Sequence, residues 1–449
     1  MGPSFLLKLA FGAVFLAALN LRRVVDSYAC KSSSGANVDW FYALKMPNLK
    51  AGKSSGDGTD YVYVDANSVG SSWRRSDEGV DKTSSNIGRT VSQIFTVKKT
   101  KSDFFAVYND EDANTNRTEF NRGHMKGVLA FDDFEGFWLV HSVPRFPATL
   151  YGAYAYPATG KRYGQAFLCV TFPTHLLNDI GIQLQFAQPT VFDMQMPAIY
   201  EHLYPNLAAA LDRKMSRLPK HVNSQASIRT LRSLGGTIFT SFTKSTKFGK
   251  DLYSDLVAPG LSSSLYVETW LNGGADLPSD CGEKFQVYNL RSIHPFDESF
   301  NSSKDHSKWA VSKASSDAWI CVGDINRQPS QFHRGGGTLC QRNSAIASLF
   351  RDAIGKVECC GTTARNIGKN SEKSISVMET SYDYNNDAFA NSLSDEIAQA
   401  LNSNSALDYA KAQANRAANS LKLKTSNEKD VFSVMDINDS DSGSCLIVA

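Results

Sequence analysis

One short pattern is written twice in this chain, 182 residues apart. Arg122 to Asp132 reads RGHMKGVLAFD, and Asp305 to Trp309 reads DHSKW. Each places a histidine and a lysine two positions apart, His124 with Lys126 and His306 with Lys308. In an extended segment, side chains at i and i+2 point the same way, roughly 6.6 Å apart, so each pair offers two donors to one anion. A single H-x-K is a chance-grade pattern, but here the surroundings repeat too. Eleven residues separate Lys126 from Trp138 of WLVHS, and ten separate Lys308 from Trp319 of WICVGDIN. Both copies read as H-x-K on a strand, a polar turn, and a return strand that begins with tryptophan and ends in polar groups. Those groups are His141 and Ser142 in one copy, Asp324, Asn326 and Arg327 in the other. Internal duplication dictates architecture. It predicts two similar sheet halves about a pseudo-two-fold axis, with both H-x-K pairs facing one cleft.

The rest of the chain fits that plan. Short apolar or alternating runs such as YVYVD, FFAVYND, GFWLVHSV, QAFLCVTF and GTIFTSF read as strands. Helical patterns lie between them, among them TSSNIGRTVSQIF, PTHLLNDIGIQL, IYEHLYPNLAAALDRKM and NSAIASLFRDAIGKV. Strands interleaved with helices argue an α/β sandwich over residues 30–369. Residues 1–29 read as a signal peptide, with a short apolar core from Phe11 to Leu21 and small residues at Ser27 and Ala29 before Cys30. No later stretch is apolar and long enough to span a bilayer. From about Asn370 the chain turns polar, and 370–449 reads as a largely disordered acidic extension. The whole chain carries +2; residues 1–29 carry +2 and 370–449 carry −6, which leaves +6 on 30–369. A mildly basic body suits a polyanionic partner.

Eight cysteines and no CxxC pair suit disulfides in an oxidising compartment rather than zinc. Sequons at Asn116, Asn301 and Asn438 would accept glycans there. No HExxH, calcium-loop or Cys–His ligand pattern occurs, and the reading calls for no metal or other cofactor. Phosphodiester cleavage needs a nucleophile, an acid for the leaving oxygen and cations for the non-bridging oxygens. Two histidines supply the first two. Two lysines, with Asn326 and Ser142 as further donors, supply the third. A histidine of ordinary pKa, about 6.5, is better populated as the acid below neutral pH. The other histidines, His175, His202, His221, His294 and His333, are read as structural. The basic run KSTKFGK, Lys244 to Lys250, is read as a solvated turn, with contact to a polyanion backbone equally open.

Together the segments VDWFYALKMPNL, RGHMKGVLAFD, GFWLVHSVPRFP, YGQAFLCVTFP, FNSSKDHSKWAV and WICVGDINRQPSQFHRGGGTLC resemble the deoxyribonuclease II family, in order, from about Cys30 to Gly368. The resemblance implies a phospholipase D-like fold of two pseudo-symmetric αβα halves, roughly 30–200 and 201–369. It implies an acid, metal-independent endonuclease that leaves 3′-phosphate ends through a phosphohistidine intermediate. It puts His124, Lys126, His306 and Lys308 in the active site, with either histidine as nucleophile and His124 preferred. It also places a functionally sensitive histidine at His141. Disulfides carry over as Cys30–Cys169, Cys321–Cys340 and Cys281 with Cys359 or Cys360, Cys359 being preferred. DNA is the expected partner, held mostly through its backbone. The expected locale is the secretory pathway, lysosomal or extracellular, and monomer and homodimer are equally compatible with the sequence. The alternatives are a phospholipase D-type phosphodiesterase on another substrate and an inactive secreted nucleic-acid-binding effector.

Overall fold

The structure is a computed structural model. It describes residues 27–49, 56–70, 72–115, 117–212, 224–272, 275–360 and 378–379. The expected signal segment up to Asp26, the sequons at Asn116 and Asn438, and nearly all of the acidic extension lie outside those residues.

Two large sheets organise the chain. The first is built from β1 (Trp40–Lys45), β2 (Tyr61–Asp65), β3 (Phe104–Asn109), β4 (Lys126–Phe131), β5 (Glu135–His141), β6 (Gln165–Pro173) and β7 (Val191–Gln195). Its order is β7-β3-β4-β5-β6-β1-β2, closed at one edge by Arg74–Arg75, and every pairing is antiparallel. The second uses β8 (Ala226–Arg232), β9 (Ile238–Lys244), β10 (Leu265–Glu268), β11 (Val287–Ile293), β12 (Trp309–Ser312), β13 (Trp319–Gly323) and β14 (Gly336–Arg342). Its order runs β11-β10-β12-β13-β14-β9-β8. The run β3-β4-β5-β6-β1-β2 thus has the same plan as β10-β12-β13-β14-β9-β8. The last two strands are traversed in opposite chain order in the two sheets.

Strand burial explains the near-continuous apolar runs: β1, β3 and β4 are buried along their whole length. A sheet covered on both faces has no water-facing side for polar alternation. The central layer joins the two sheets. Tyr42, Leu129, Trp138 and Leu168 from one side meet Phe239, Trp309, Ile320 and Leu339 from the other. Helices pack into this layer as well, among them α2 (Leu177–Ala187) and α3 (Ser344–Asp352), through Ile180, Leu184, Ile346 and Phe350. The outer face of the first sheet is covered by α1 (Asn86–Thr100) through Ile87, Val91 and Ile94. The outer face of the second is covered by the helical segment around Tyr253–Leu261.

Local chemistry sets the helix ends. The Ser85 hydroxyl accepts from the Gly88 amide at 2.9 Å, and Asn343 caps α3 by accepting from the Ile346 amide. The apolar run IYEHLYPNLAAAL is not one helix. It breaks into Ala198–Leu203 and Pro205–Leu211, because Pro205 cannot donate an amide inside a helix and instead opens a new one.

Cys30–Cys169 and Cys321–Cys340 are bridged, the latter across directly paired strands. The third bridge corrects the sequence expectation: Cys281 pairs with Cys360, not Cys359. The Glu358 carboxylate accepts from the Ser279 amide at 3.1 Å and from the Asn289 amide group at 2.6 Å, so it points at the segment leading to Cys281. Ser279 lies two residues before Cys281 and Glu358 two before Cys360, so this contact brings those two cysteines level with each other.

Leu168 lies in the central strand β6 with no exposed surface, at the middle of the inter-sheet layer. Leu168→Ala should lower unfolding free energy by about 2–5 kcal/mol in a guanidinium titration. A loss below about 1 kcal/mol would mean that the two sheets do not share one core.

Candidate functional site

Hairpin geometry gathers the two H-x-K motifs. In β4–β5, Gly127 pairs with Val140, so the entry to β4 and the exit of β5 lie at one edge of the first sheet. In β12–β13, Trp309 pairs with Val322, which puts Lys308 beside the exit of β13. Both histidines stand just ahead of their strands rather than on them, because their backbone amides bond across to the other sheet's half. The His124 amide donates to the Gly335 carbonyl at 2.8 Å, and the His306 amide donates to the Gly164 carbonyl at 2.9 Å.

The rings are held the same way. His124 Nδ1 lies 2.8 Å from the Asp324 carbonyl oxygen, and His306 Nδ1 lies 2.8 Å from the Ser142 carbonyl oxygen. A carbonyl only accepts, so each Nδ1 carries the proton and each neutral ring keeps its lone pair on Nε2. The two pairs are close. The Lys126 amide donates to Asp324 Oδ1 at 3.2 Å, and the Gly323 amide, one residue before Asp324, donates to the Lys308 carbonyl at 2.9 Å. His306 feels the charge of His124, and Lys308 feels that of Lys126.

Electrostatics bind this cluster tightly. Asp110, at the exit of β3, pairs with Lys126 and lies 3.3 Å from Arg334 and 3.8 Å from His124 Nε2. Burial alone would raise the Asp110 carboxyl, but Lys126, His124 and Arg334 hold it well below the usual carboxylate range. Burial pushes both imidazoles well below 6.5, and the lysine ammoniums reinforce it: Lys126 for His124, Lys308 for His306. Burial, with Lys126 nearby, likewise lowers Lys308. Lys308 Nζ donates to the His306 carbonyl at 2.7 Å and lies 3.4 Å from its Nε2. Trp270 packs edge-on against the His306 ring at 4.9 Å.

The other sequence candidates divide. His141 is fully buried, edge-on to Phe146, and its Nδ1 accepts from the Val143 amide at 3.2 Å. It does not join the crossed pair; its neighbour Ser142 does, through the carbonyl. The Ser142 hydroxyl is spent internally, donating to Gln165 at 2.6 Å and accepting from the Ala166 amide at 2.9 Å. Asn326 is buried with an unpartnered Oδ1. Arg327 is a structural group: its guanidinium donates to Asn289 Oδ1 and the Pro278 carbonyl. The Gly335–Gly337 run is close-packed against backbone. A Cβ at Gly335 would lie 2.2 Å from the Ala187 carbonyl, and one at Gly337 2.2 Å from that of Phe242. Asp110 and Arg334 escaped the sequence reading. The one signal was a charged residue closing the apolar strand FFAVYND. Among the described residues no group of three or more His, Cys, Asp or Glu is placed to hold a metal ion.

Residues 29–360 match the family model described as deoxyribonuclease II. The chain belongs to the deoxyribonuclease II family. It is 37% identical to deoxyribonuclease-2-alpha of Rattus norvegicus over 78% of this chain and 99% of that protein. It is 34% identical to cell-death-related nuclease 7 of Caenorhabditis elegans over 75% of this chain and 89% of that one. Against plancitoxin-1 of Acanthaster planci the identity is 34% over 80% and 99%. As a deoxyribonuclease II-type hydrolase the chain is an enzyme, and the sequence reading as a non-enzymatic effector falls.

Burial raises the Asp324 carboxyl to about 7, against the Lys126 amide bond and the two lysine charges. A carboxyl raised in the fold is stabilising below its unfolded pKa and loses that contribution as pH rises through the folded value. Asp324→Asn keeps the acceptor and removes the titration. Relative to the parent, the variant should therefore gain stability between pH about 4 and about 7, read by denaturant unfolding at both ends. A difference independent of pH would contradict the placement of Asp324.

Proposed function

We propose that the chain is an acid, metal-independent endonuclease that cuts DNA to 3′-phosphate ends through a phosphohistidine intermediate, at His124, Lys126, His306 and Lys308. The observation that carries this is the crossed anchoring of the two rings, which leaves two Nε2 lone pairs in one cationic cluster. A backbone phosphate entering the cluster is held by Lys126 and Lys308, with the Asn326 side chain as a further donor. One Nε2 attacks phosphorus as the P–O5′ bond breaks. The other imidazole, protonated, gives its proton to the departing 5′ oxygen. Water, deprotonated by that same ring, then cleaves the P–N bond and leaves the phosphate on the 3′ side.

The environments differ in one respect that favours a role for each ring. The Asp110 carboxylate opposes the lowering of His124, whereas the largest charge effects on His306 come from the cations Lys308, Lys126 and His124. A carboxylate stabilises imidazolium and an ammonium opposes it. This favours His124 as the acid and His306 as the nucleophile, the reverse of the preference drawn from sequence. Because both imidazoles sit below their ordinary pKa, the acid form is populated in acid, and activity falls as pH rises toward neutrality. The two sheets with a shared strand plan fit a phospholipase D-like pair of halves. Three disulfides and an exposed sequon at Asn301 fit the secretory pathway and an acidic destination such as the lysosome.

The test is supercoiled plasmid incubated at pH about 5 in excess chelator, with end-group analysis of the fragments. The parent enzyme should release 3′-phosphate ends, and His124→Ala and His306→Ala should each lose at least about 100-fold in rate. Cleavage to 5′-phosphate ends, or full activity in either variant, would overturn the shared-cleft mechanism.

A further inference from the structure

Lys244 is not in a solvated turn. It is the last residue of β9, with no exposed surface, while Lys247 and Lys250 of the same basic run are exposed. Its ammonium donates to three backbone carbonyls, those of Gln331 at 2.8 Å, Phe332 at 3.2 Å and Arg334 at 2.6 Å. Lys45 is its counterpart. It is the last residue of β1, the strand that flanks β6 as β9 flanks β14, and it is buried. Its ammonium donates to the carbonyls of Lys161, at 3.1 Å, and Tyr163.

The two loops so held have one thing in common. The first carbonyl beyond the Lys45 clamp is that of Gly164, which receives the His306 amide. The first beyond the Lys244 clamp is that of Gly335, which receives the His124 amide. We propose that Lys45 and Lys244 are a matched pair of positioning residues, each fixing in its own half the loop that seats the histidine of the opposite half.

Side-chain chemistry explains the choice of lysine. An ammonium presents three donors on a long stem, and these can converge on as many as three carbonyl oxygens; a neutral amide presents two. Among the described residues neither ammonium forms a salt bridge. Asp305 and Asp57 act on Lys45 from farther away, and Asp251 acts on Lys244. Burial lowers Lys45 to about 7 and Lys244 to about 8, so both carry charge in acid. A buried ammonium without a paired carboxylate is costly, and a fold keeps one where its hydrogen bonds are needed. The seats themselves are tight. A Cβ at Gly164 would stand 2.3 Å from Asp305 Oδ1, beside His306, and one at Gly335 would stand 2.2 Å from the Ala187 carbonyl. In close-packed contacts of this kind a loop shift passes to the histidine rather than being absorbed.

The inference rests on the proposed roles of the two histidines, so its test includes a readout that does not depend on activity. Lys45→Met and Lys244→Met keep the apolar stem and remove the donors. In steady-state cleavage at pH about 5, each should lower kcat by about 10–100-fold with KM within about threefold. In 15N-histidine-labelled protein, with ring signals assigned through His124→Ala and His306→Ala, Lys45→Met should move the His306 resonances and leave those of His124. Lys244→Met should do the converse. The variants Lys45→Gln and Lys244→Gln, which keep two donors at shorter reach, should fall between parent and Met in both measurements, and they carry the comparison if the Met variants do not fold. An unchanged kcat with only a lower melting temperature, or equal movement of both histidines in either variant, would overturn the proposal. If the parent does not cleave DNA while the crossed spectral pattern holds, the clamp stands and the catalytic reading fails.

Discussion

Four of the hydrogen bonds that cross between the two halves of this protein hold the two histidines, and the candidate site depends on them. Each histidine gives its amide proton to a glycine carbonyl of the other half and its Nδ1 proton to a strand-exit carbonyl of the other half. Neither half can therefore orient its own ring. The apolar layer between the sheets, from Tyr42 and Leu168 to Phe239 and Leu339, brings the two edges together; the crossed bonds convert that proximity into a fixed tautomer. Packing supplies the free energy and hydrogen bonding supplies the direction.

Charge is the second constraint. Two lysines, an arginine and two imidazoles are buried in one place, which is costly unless something negative is near. Asp110 meets part of that need through Lys126 and Arg334. Burial first, and the neighbouring cations after it, lower both imidazoles and Lys308. The negative charge of an entering phosphate diester would oppose the cationic part of those shifts.

What the sequence made legible was whatever depends on short spacing. The doubled H-x-K, the return strands ending at Ser142 and Asp324, and the apolar runs of β3 to β6 could all be read from local pattern. Contacts fixed by sheet order could not. Asp110 and Arg334 lie 224 positions apart, and nothing near either announces the other. Lys244 was grouped with its basic neighbours because composition does not reveal that β9 carries it inward. The choice between Cys359 and Cys360 depends on the contact of Glu358 with Ser279, 79 positions away, which local sequence does not announce. The break at Pro205 was readable from the proline itself, and the apolar pattern around it hid the signal.

The central claim is that two distant H-x-K pairs address a single phosphorus atom. Crystals soaked in orthovanadate, a mimic of phosphorus in transit, test it most directly. The account predicts one vanadium bonded to the Nε2 of one imidazole, with the other imidazole and both lysines within hydrogen-bond reach of its oxygens. Vanadate bound by the histidine and lysine of one half alone, with the opposite ring turned away from it, would contradict the account.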